Sequence, residues 1–343
     1  MKIASLFSGC GGLDLGFENA GFKMAYANDI DKAVWETFEK NHKMEIDKRS
    51  IVDVKSDEIP KVDGIIGGPP CQSWSLAGAM RGINDSRGKL FYEYTRILED
   101  KKPLFFVAEN VPGIISSAHI SEFEKILAEF SSVGYNISYK LLDARDYGVP
   151  QERKRVVVVG YRKDLGKSFE FPKPTHAPEA NASLKPWVTL KEAIGDLPKA
   201  YPAKEKNKAN QELEFLNQEY MNGGYSTIYM SRNRRKGWED QSFTIQAGGR
   251  HAPLHPDSAK MRKLEADKWE FEGKNPHHRR LSVRECARIQ TFPDNFAFYY
   301  DSIADGYKMI GNAVPVKLAE AIAKQISNDI KIEAKKYSIL QRV

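Results

Sequence analysis

The sequence predicts an α/β fold built on an open, doubly wound parallel sheet, with a second, smaller domain beside it. Three observations carry that reading. Apolar runs of strand length alternate with amphipathic helical stretches from the amino terminus to Lys163, the pattern of parallel strands joined by crossover helices. The runs end in turns rich in glycine, proline or carboxylates, at the strand ends where open α/β sheets bind ligands. Beyond Pro172-Lys173-Pro174-Thr175-His176 the alternation breaks into proline-, lysine- and asparagine-rich stretches, which marks a separate lobe.

Lys2-Ile3-Ala4-Ser5-Leu6-Phe7 reads as a buried strand that runs into Ser8-Gly9-Cys10-Gly11-Gly12-Leu13-Asp14. Such a glycine-rich turn opens a helix and lets a nucleotide-like ligand approach the backbone and the helix's positive end. Alone it is a feature shared by many adenosine and dinucleotide binders. A second strand, Lys23-Met24-Ala25-Tyr26-Ala27, ends at Asn28-Asp29-Ile30-Asp31, and an acid there can accept hydrogen bonds from both ribose hydroxyls. A helix is expected over 32–40. The strand Val62-Asp63-Gly64-Ile65-Ile66 leads into Gly67-Gly68-Pro69-Pro70-Cys71-Gln72-Ser73-Trp74-Ser75. Two prolines fix φ there, and the glycines admit a close neighbour, so the turn presents Cys71 to the crevice. Taken alone, Cys71 is equally a small buried hydrophobe.

Leu104-Phe105-Phe106-Val107-Ala108 is a further strand, followed by Glu109-Asn110-Val111-Pro112-Gly113. Its carboxylate shares the strand-end face with Cys71, though an acid after a strand is commonly just solvated. A helix is expected over 122–130. Asp146 to Arg155 reads as a basic turn leading into the strand Val156-Val157-Val158-Val159-Gly160. In the second lobe, 199–210 is a polar surface excursion, and Ser242-Phe243-Thr244-Ile245-Gln246-Ala247 reads as a strand before Gly248-Gly249. Ser282-Val283-Arg284-Glu285 fits a capping box whose helix stops before Pro293. The last helix, from Val316 to about residue 330, has the apolar spacing to return to the first domain.

The 343 residues are 41% hydrophobic and 29% charged, a globular composition with room for one large and one smaller domain. No long apolar run and no signal peptide are present, so no membrane association is expected. The three cysteines, Cys10, Cys71 and Cys286, lack metal-ligand spacing and imply a reducing, cytoplasmic setting with neither a metal site nor disulfides. A net charge of +6 permits nucleic-acid binding.

Together Cys71, Glu109 and a neighbouring arginine, Arg153 or Arg155, make one chemical proposal. Cytosine C5 is a poor nucleophile until something adds to C6. A thiolate attacking C6, with an acid at N3, makes C5 enamine-like and able to take a methyl group from a sulfonium. Cys71 suits the covalent step, Glu109 the acid role, and a positive neighbour favours the thiolate.

The chain resembles the bacterial DNA cytosine-5 methyltransferases. Phe7-Ser8-Gly9-Cys10-Gly11-Gly12 is similar to that family's cofactor turn, Gly68-Pro69-Pro70-Cys71-Gln72 to its nucleophile loop and Glu109-Asn110-Val111 to its acid motif. Gln151-Glu152-Arg153-Lys154-Arg155, Arg284 to Pro293 and Gly311-Asn312-Ala313-Val314-Pro315 resemble its basic motif, late helix and closing loop. The resemblance implies a Rossmann-like doubly wound methyltransferase sheet with a smaller DNA-recognition domain. The division is a catalytic domain at 1–171, a target recognition domain at 172–277 and a completing C-terminal segment at 278–343. It implies S-adenosylmethionine held by Phe7, Gly9, Cys10, Gly11, Gly12, Asp29, Ile30, Ser50, Ile51, Pro70, Leu90 and Asn312, and catalysis by Cys71, Glu109, Arg153 and Arg155. Asp29 departs from the usual glutamate, and Ser50 from the usual aspartate at the adenine amino group, which puts cofactor affinity in question.

The segment from Tyr225 to Arg234 is similar to that of type II restriction-modification methyltransferases recognising GGCC. The partners so implied are double-stranded DNA and a cognate restriction endonuclease, with the enzyme a monomer. Arg232 and Arg234 in alternate positions, with Arg250 after a Gly-Gly turn, are the candidate base readers. Ser75 and Arg87 are further DNA contacts in a loop, 73–89, expected to cover the site. A stacked cytosine cannot be reached by both Cys71 and the methyl donor, so the base must be flipped out. An RNA cytosine-5 methyltransferase would share every catalytic residue, and the arginine-bearing recognition segment weighs against it. A nicotinamide-dependent dehydrogenase or a binding module explains the glycine turn but not Cys71, Glu109 and Arg155 together.

Overall fold

The computed structural model describes residues 1–70, 89–210, 212–273 and 278–340. Its centre is a six-stranded sheet of order β2-β1-β3-β4-β6-β5, formed by β1 (Lys2–Leu6), β2 (Lys23–Asn28), β3 (Gly64–Gly67), β4 (Phe105–Asn110), β5 (Tyr135–Asp143) and β6 (Lys154–Arg162). Strands β1 to β4 pair in parallel, whereas β6 lies antiparallel between β4 and β5. The wholly parallel sheet expected from the sequence is therefore corrected to a mixed one. The link from β5 to β6 is too short for a crossover helix, and a short link returns the chain antiparallel. Strand β5 carried no sequence signal because it is an edge strand with a largely exposed middle.

Alternation along β6 assigns the two faces. Val157, Val159 and Tyr161 pack with Phe17, Phe105, Leu318, Ile322 and Ile326 on one side. Val156 and Val158 pack with Tyr94, Ile97, Phe106, Phe123 and Phe130 on the other. The first face is covered by α1 (Gly12–Asn19) and α8 (Val316–Leu340), the second by α3 (Lys89–Lys101) and α4 (Ile120–Ser132). A side chain at Gly16 would stand 2.4 Å from the Ala319 methyl, so glycine is what lets α1 and α8 meet. Helix α2 (Lys32–His42) begins at Asp31, whose carboxylate accepts from the Ala33 N–H.

The second lobe has little regular structure. It contains three two-stranded pieces, β7 (His176–Ala177) with β8 (Lys185–Pro186), β9 (Tyr201–Pro202) with β10 (Glu219–Tyr220), and the hairpin β11 (Met261–Glu265) with β12 (Lys268–Phe271), besides a short helix α5 (Leu190–Ile194). Helix α6 (Val283–Ile289) carries the capping box between Ser282 and Glu285, and α7 (Ile303–Asn312) follows. The expected strand over 242–247 is absent: only Ser242 pairs, as an isolated bridge to Gln151. Side chains have taken the backbone groups a ladder would use. The Ile245 N–H donates to Gln151 Oε1, and the Ile245 carbonyl accepts from Arg153.

One apolar cluster runs from Cys10 and Val34 through Ile245 and Val283 to Phe292, Tyr307 and Ile310. No helix among the described residues is long and apolar enough to cross a membrane.

Candidate active site

The turn after β1 is built from unusual backbone. Phe7, Gly9 and Gly11 have φ of 56°, 57° and 91°, a region costly for an aromatic residue and tolerated where a site over-determines it. The Gly9 N–H donates to Asp29 Oδ2 and the Asp31 N–H to Asp29 Oδ1, each at 2.8 Å. Asp29 thus ties the glycine turn to the end of β2, and burial raises its carboxyl above the usual range. Gly11 forms the N-cap of α1 with no side-chain cap, which leaves first-turn N–H groups to meet an anionic group.

These elements enclose a cavity of about 700 Å³ lined by Phe7, Gly9, Cys10, Gly12, Asp29, Ile30, Ser50, Ile51, Pro70, Leu90 and Asn312. Of the expected cofactor residues only Gly11 faces elsewhere: a side chain there would strike the His42 ring at 2.0 Å. Ser50 Oγ accepts from the Val52 N–H at 3.4 Å and caps the turn Ile51–Asp53. Aspartate caps equally well, so Ser50→Asp keeps the turn and adds an acceptor. Calorimetry with S-adenosylhomocysteine should show binding tighter by up to about 1.5 kcal/mol. Unchanged or weaker binding would mean that residue 50 does not face the adenine amino group.

At the other end of the cavity stand Glu109, Asn110 and Arg155. Glu109 lies within β4 rather than after it, and its Oε1 is 2.7 Å from Arg155 Nε. Burial raises the Glu109 carboxyl above the usual range, against the pull of Arg155 and then Arg153. Burial thus favours the protonated form, while Arg155 fixes the orientation. The Asn110 amide donates to the Pro69 carbonyl at 3.1 Å, and a side chain at Gly68 would stand 3.3 Å from Glu109 Oε2. The start of the nucleophile turn is therefore pinned against the acid. Cys71, Ser75, Arg87 and the rest of 71–88 lie outside the described residues.

Arg153 stands outside the cavity lining, yet its charge still reaches Glu109. It is fully buried, does not line the cavity, and donates to the carbonyls of Ile245, Gly311 and Ala313. Its terminal nitrogens bracket these three backbone segments, while its Nε has no hydrogen-bond partner. Gln290 joins this bracket, accepting from Gln151 and donating to the Ile310 carbonyl. Two motifs distant in sequence, Gln151–Arg155 and Arg284–Pro293, thus hold the end of α7 that carries Asn312, a role their residue types did not reveal.

In the second lobe Arg232 and Arg250 are exposed, while Arg234 is 5% exposed. Arg234 Nε and Nη2 donate to the carbonyls of Tyr229 and Ile228, and its guanidinium stacks over Tyr229. Arg280, unnoticed in the sequence, donates to the carbonyls of Gly223 and Gly224 and stacks over Tyr225. Burial, then the field of Arg234, Arg232, Arg280 and Arg250, lowers the His251 imidazole below its usual range. Arg232 and Arg250 are thus exposed beside His251, whereas Arg234, the third expected base reader, lies buried with its Nε and Nη2 on backbone carbonyls.

The chain matches the C-5 cytosine-specific DNA methylase family model over residues 1–328. It is 59% identical over 333 residues to the type II methyltransferase M.MthTI of Methanothermobacter thermautotrophicus, covering 96% of this chain and 98% of that one. It is 56% identical over 334 residues to M.FnuDI of Fusobacterium nucleatum, covering 96% and 95%. Among solved structures, a DNA modification methyltransferase encoded within an Escherichia coli prophage superposes with a TM-score of 0.74 at 25% identity, covering 96% of this chain and 99% of that one. The chain belongs to the C-5 cytosine-specific DNA methylase family. It is a DNA (cytosine-5-)-methyltransferase, and its methyl donor is S-adenosylmethionine.

Proposed function

We propose that the enzyme methylates the inner cytosine of GGCC in duplex DNA as the modification partner of a restriction endonuclease, acting as a monomer in the cytoplasm. The observation that carries the catalytic part is the Glu109 and Arg155 pair at one end of the cavity, with the backbone before Cys71 held against it. The residues fit the cofactor: the glycine turn and Asn312 border the same cavity as the acid. When bound, S-adenosylmethionine supplies an electrophilic methyl group. This chain's part is to add the Cys71 thiolate to C6 while Glu109 gives its proton to N3, to orient that carboxyl with Arg155 and to exclude water; once C5 carries the methyl group, the C5 proton leaves to a base and the Cys71–C6 bond breaks, which returns the thiolate. On this reading the chain divides at 1–171, 172–277 and 278–343 with the duplex lying between the lobes, and flipping the cytosine costs a few kcal/mol that new contacts offset.

The exposed Arg232 and Arg250 support recognition of guanine, whose N7 and O6 meet a planar guanidinium fork. Arg232→Ala and Arg250→Ala should each cost about 1 to 3 kcal/mol on GGCC and relax discrimination at one guanine. Arg234→Ala removes the brace on the Ile228 and Tyr229 carbonyls and should weaken all sequences alike. The test is transfer of labelled methyl to GGCC duplexes, to every single-base variant and to tRNA. Methylation independent of the central G·C pairs overturns the recognition reading, and preference for tRNA overturns the DNA reading of the lobe. Uniform losses for all three arginine variants move base reading to the segment from Tyr225 to Met230.

A further inference from the structure

Behind the glycine turn lies a buried acid that none of the roles above uses. Asp14, in the first turn of α1, is wholly buried and borders the cavity, yet neither of its oxygens has a hydrogen-bond partner. The facing Ser5 hydroxyl on β1, also a cavity residue, is unsatisfied as well. An unmet buried acceptor is costly in a folded protein and calls for an occupant that completes it. The charged groups around Asp14 are Glu18 on its own helix, His42 on α2, and Cys10 in the turn, with Asp29 at the end of β2 near Cys10.

His42 and Glu18 satisfy each other at 2.8 Å. Burial opposes charge on His42, but Glu18 and Asp14 hold its imidazole above the usual range. Two carboxyl groups, Asp14 and Glu18, thus stand around one imidazole beside the cavity.

We propose that Asp14 is a buried electrostatic receptor for the ammonium and sulfonium of S-adenosylmethionine, acting through its charge from within the wall of the cavity. The inference rests on the cavity being the cofactor site. The chemistry suits it: the cofactor carries an ammonium and a sulfonium, and a carboxylate in a low-dielectric wall favours either over a neutral group. Burial pushes the Asp14 carboxyl up to about 6, against the pull of His42. A bound cation stabilises the ionised form. Affinity therefore rises as pH increases through that value, and binding below it releases a proton.

The test is titration calorimetry with three probes: S-adenosylmethionine, S-adenosylhomocysteine, which keeps the ammonium and carboxylate but lacks the sulfonium, and 5′-methylthioadenosine, which has none of the three charges. Asp14→Asn should weaken both charged probes by about tenfold or more and leave 5′-methylthioadenosine unchanged. Loss confined to S-adenosylmethionine assigns the role to the sulfonium instead of the ammonium. Equal loss for all three probes, or none, overturns the proposal. Wild-type protein supplies a test that needs no variant. S-adenosylhomocysteine affinity should rise between pH 5 and 7 more steeply than that of 5′-methylthioadenosine, which shares the ribose and so carries any contribution from Asp29; equal slopes overturn the proposal. Wild-type protein that binds none of the probes refutes the cavity assignment itself, a failure distinct from that of Asp14.

Discussion

Cys71→Ala is expected to lower methyl transfer by more than about 10⁴-fold, the scale seen when a covalent nucleophile is removed, while binding of the GGCC duplex survives. The expectation follows from chemistry rather than from contact. Without a bond to C6, C5 has no enamine character and cannot attack an electrophilic methyl group, however well the base and donor are aligned. Two structural facts support placing the thiol at C6. The Pro69 carbonyl is held by the Asn110 amide, and Pro70 borders the cavity that Glu109 closes. Single-turnover transfer of labelled methyl, with duplex affinity measured in parallel, separates loss of chemistry from loss of binding. Turnover within tenfold of wild type would remove Cys71 from the mechanism.

Glu109→Gln should slow methyl transfer by at least about a hundredfold, also without loss of DNA affinity. The amide can still hydrogen-bond to N3 but has no acidic proton, so the substitution isolates protonation from positioning. Burial raises the Glu109 carboxyl despite Arg155 and Arg153. A group so raised holds its proton at higher pH than an ordinary glutamate. The wild-type rate should therefore fall on the alkaline side as Glu109 deprotonates, and Glu109→Gln should lack that limb. A pH–rate profile for both proteins checks this, and an alkaline limb retained in the variant would assign it to another group.

Most of the sheet was legible in the sequence because β1, β3, β4 and β6 are buried on both faces and read as continuous apolar runs. Strand β5 was not, since an edge strand with exposed Tyr139 and Leu141 has no such run. The segment 242–247 has the composition of a strand, but its backbone is claimed by Gln151 and Arg153, residues about ninety positions away. No local pattern encodes that competition. The cofactor cavity was legible because its residues sit on turns whose glycines and carboxylates follow strands. Arg153 and Arg155 show the limit. They are two residues apart, Arg153 just before β6 and Arg155 within it, and alike in type, yet one brackets backbone and the other pairs with Glu109. What each side chain meets depends on the partners the fold brings beside it. Arg280 was missed for the same reason, as its stacking on Tyr225 joins segments that the sequence keeps apart.

The most direct test of the account is covalent capture. A GGCC duplex with 5-fluorocytosine at the inner position, incubated with S-adenosylmethionine, should become irreversibly attached to the wild-type enzyme, because fluorine cannot leave C5 as a proton does. Mass spectrometry of the digested adduct should place the bond on the peptide containing Cys71, and Cys71→Ala should form none. An adduct that persisted in Cys71→Ala, or methylation of normal DNA by an enzyme that never captured the fluorinated duplex, would contradict the covalent mechanism.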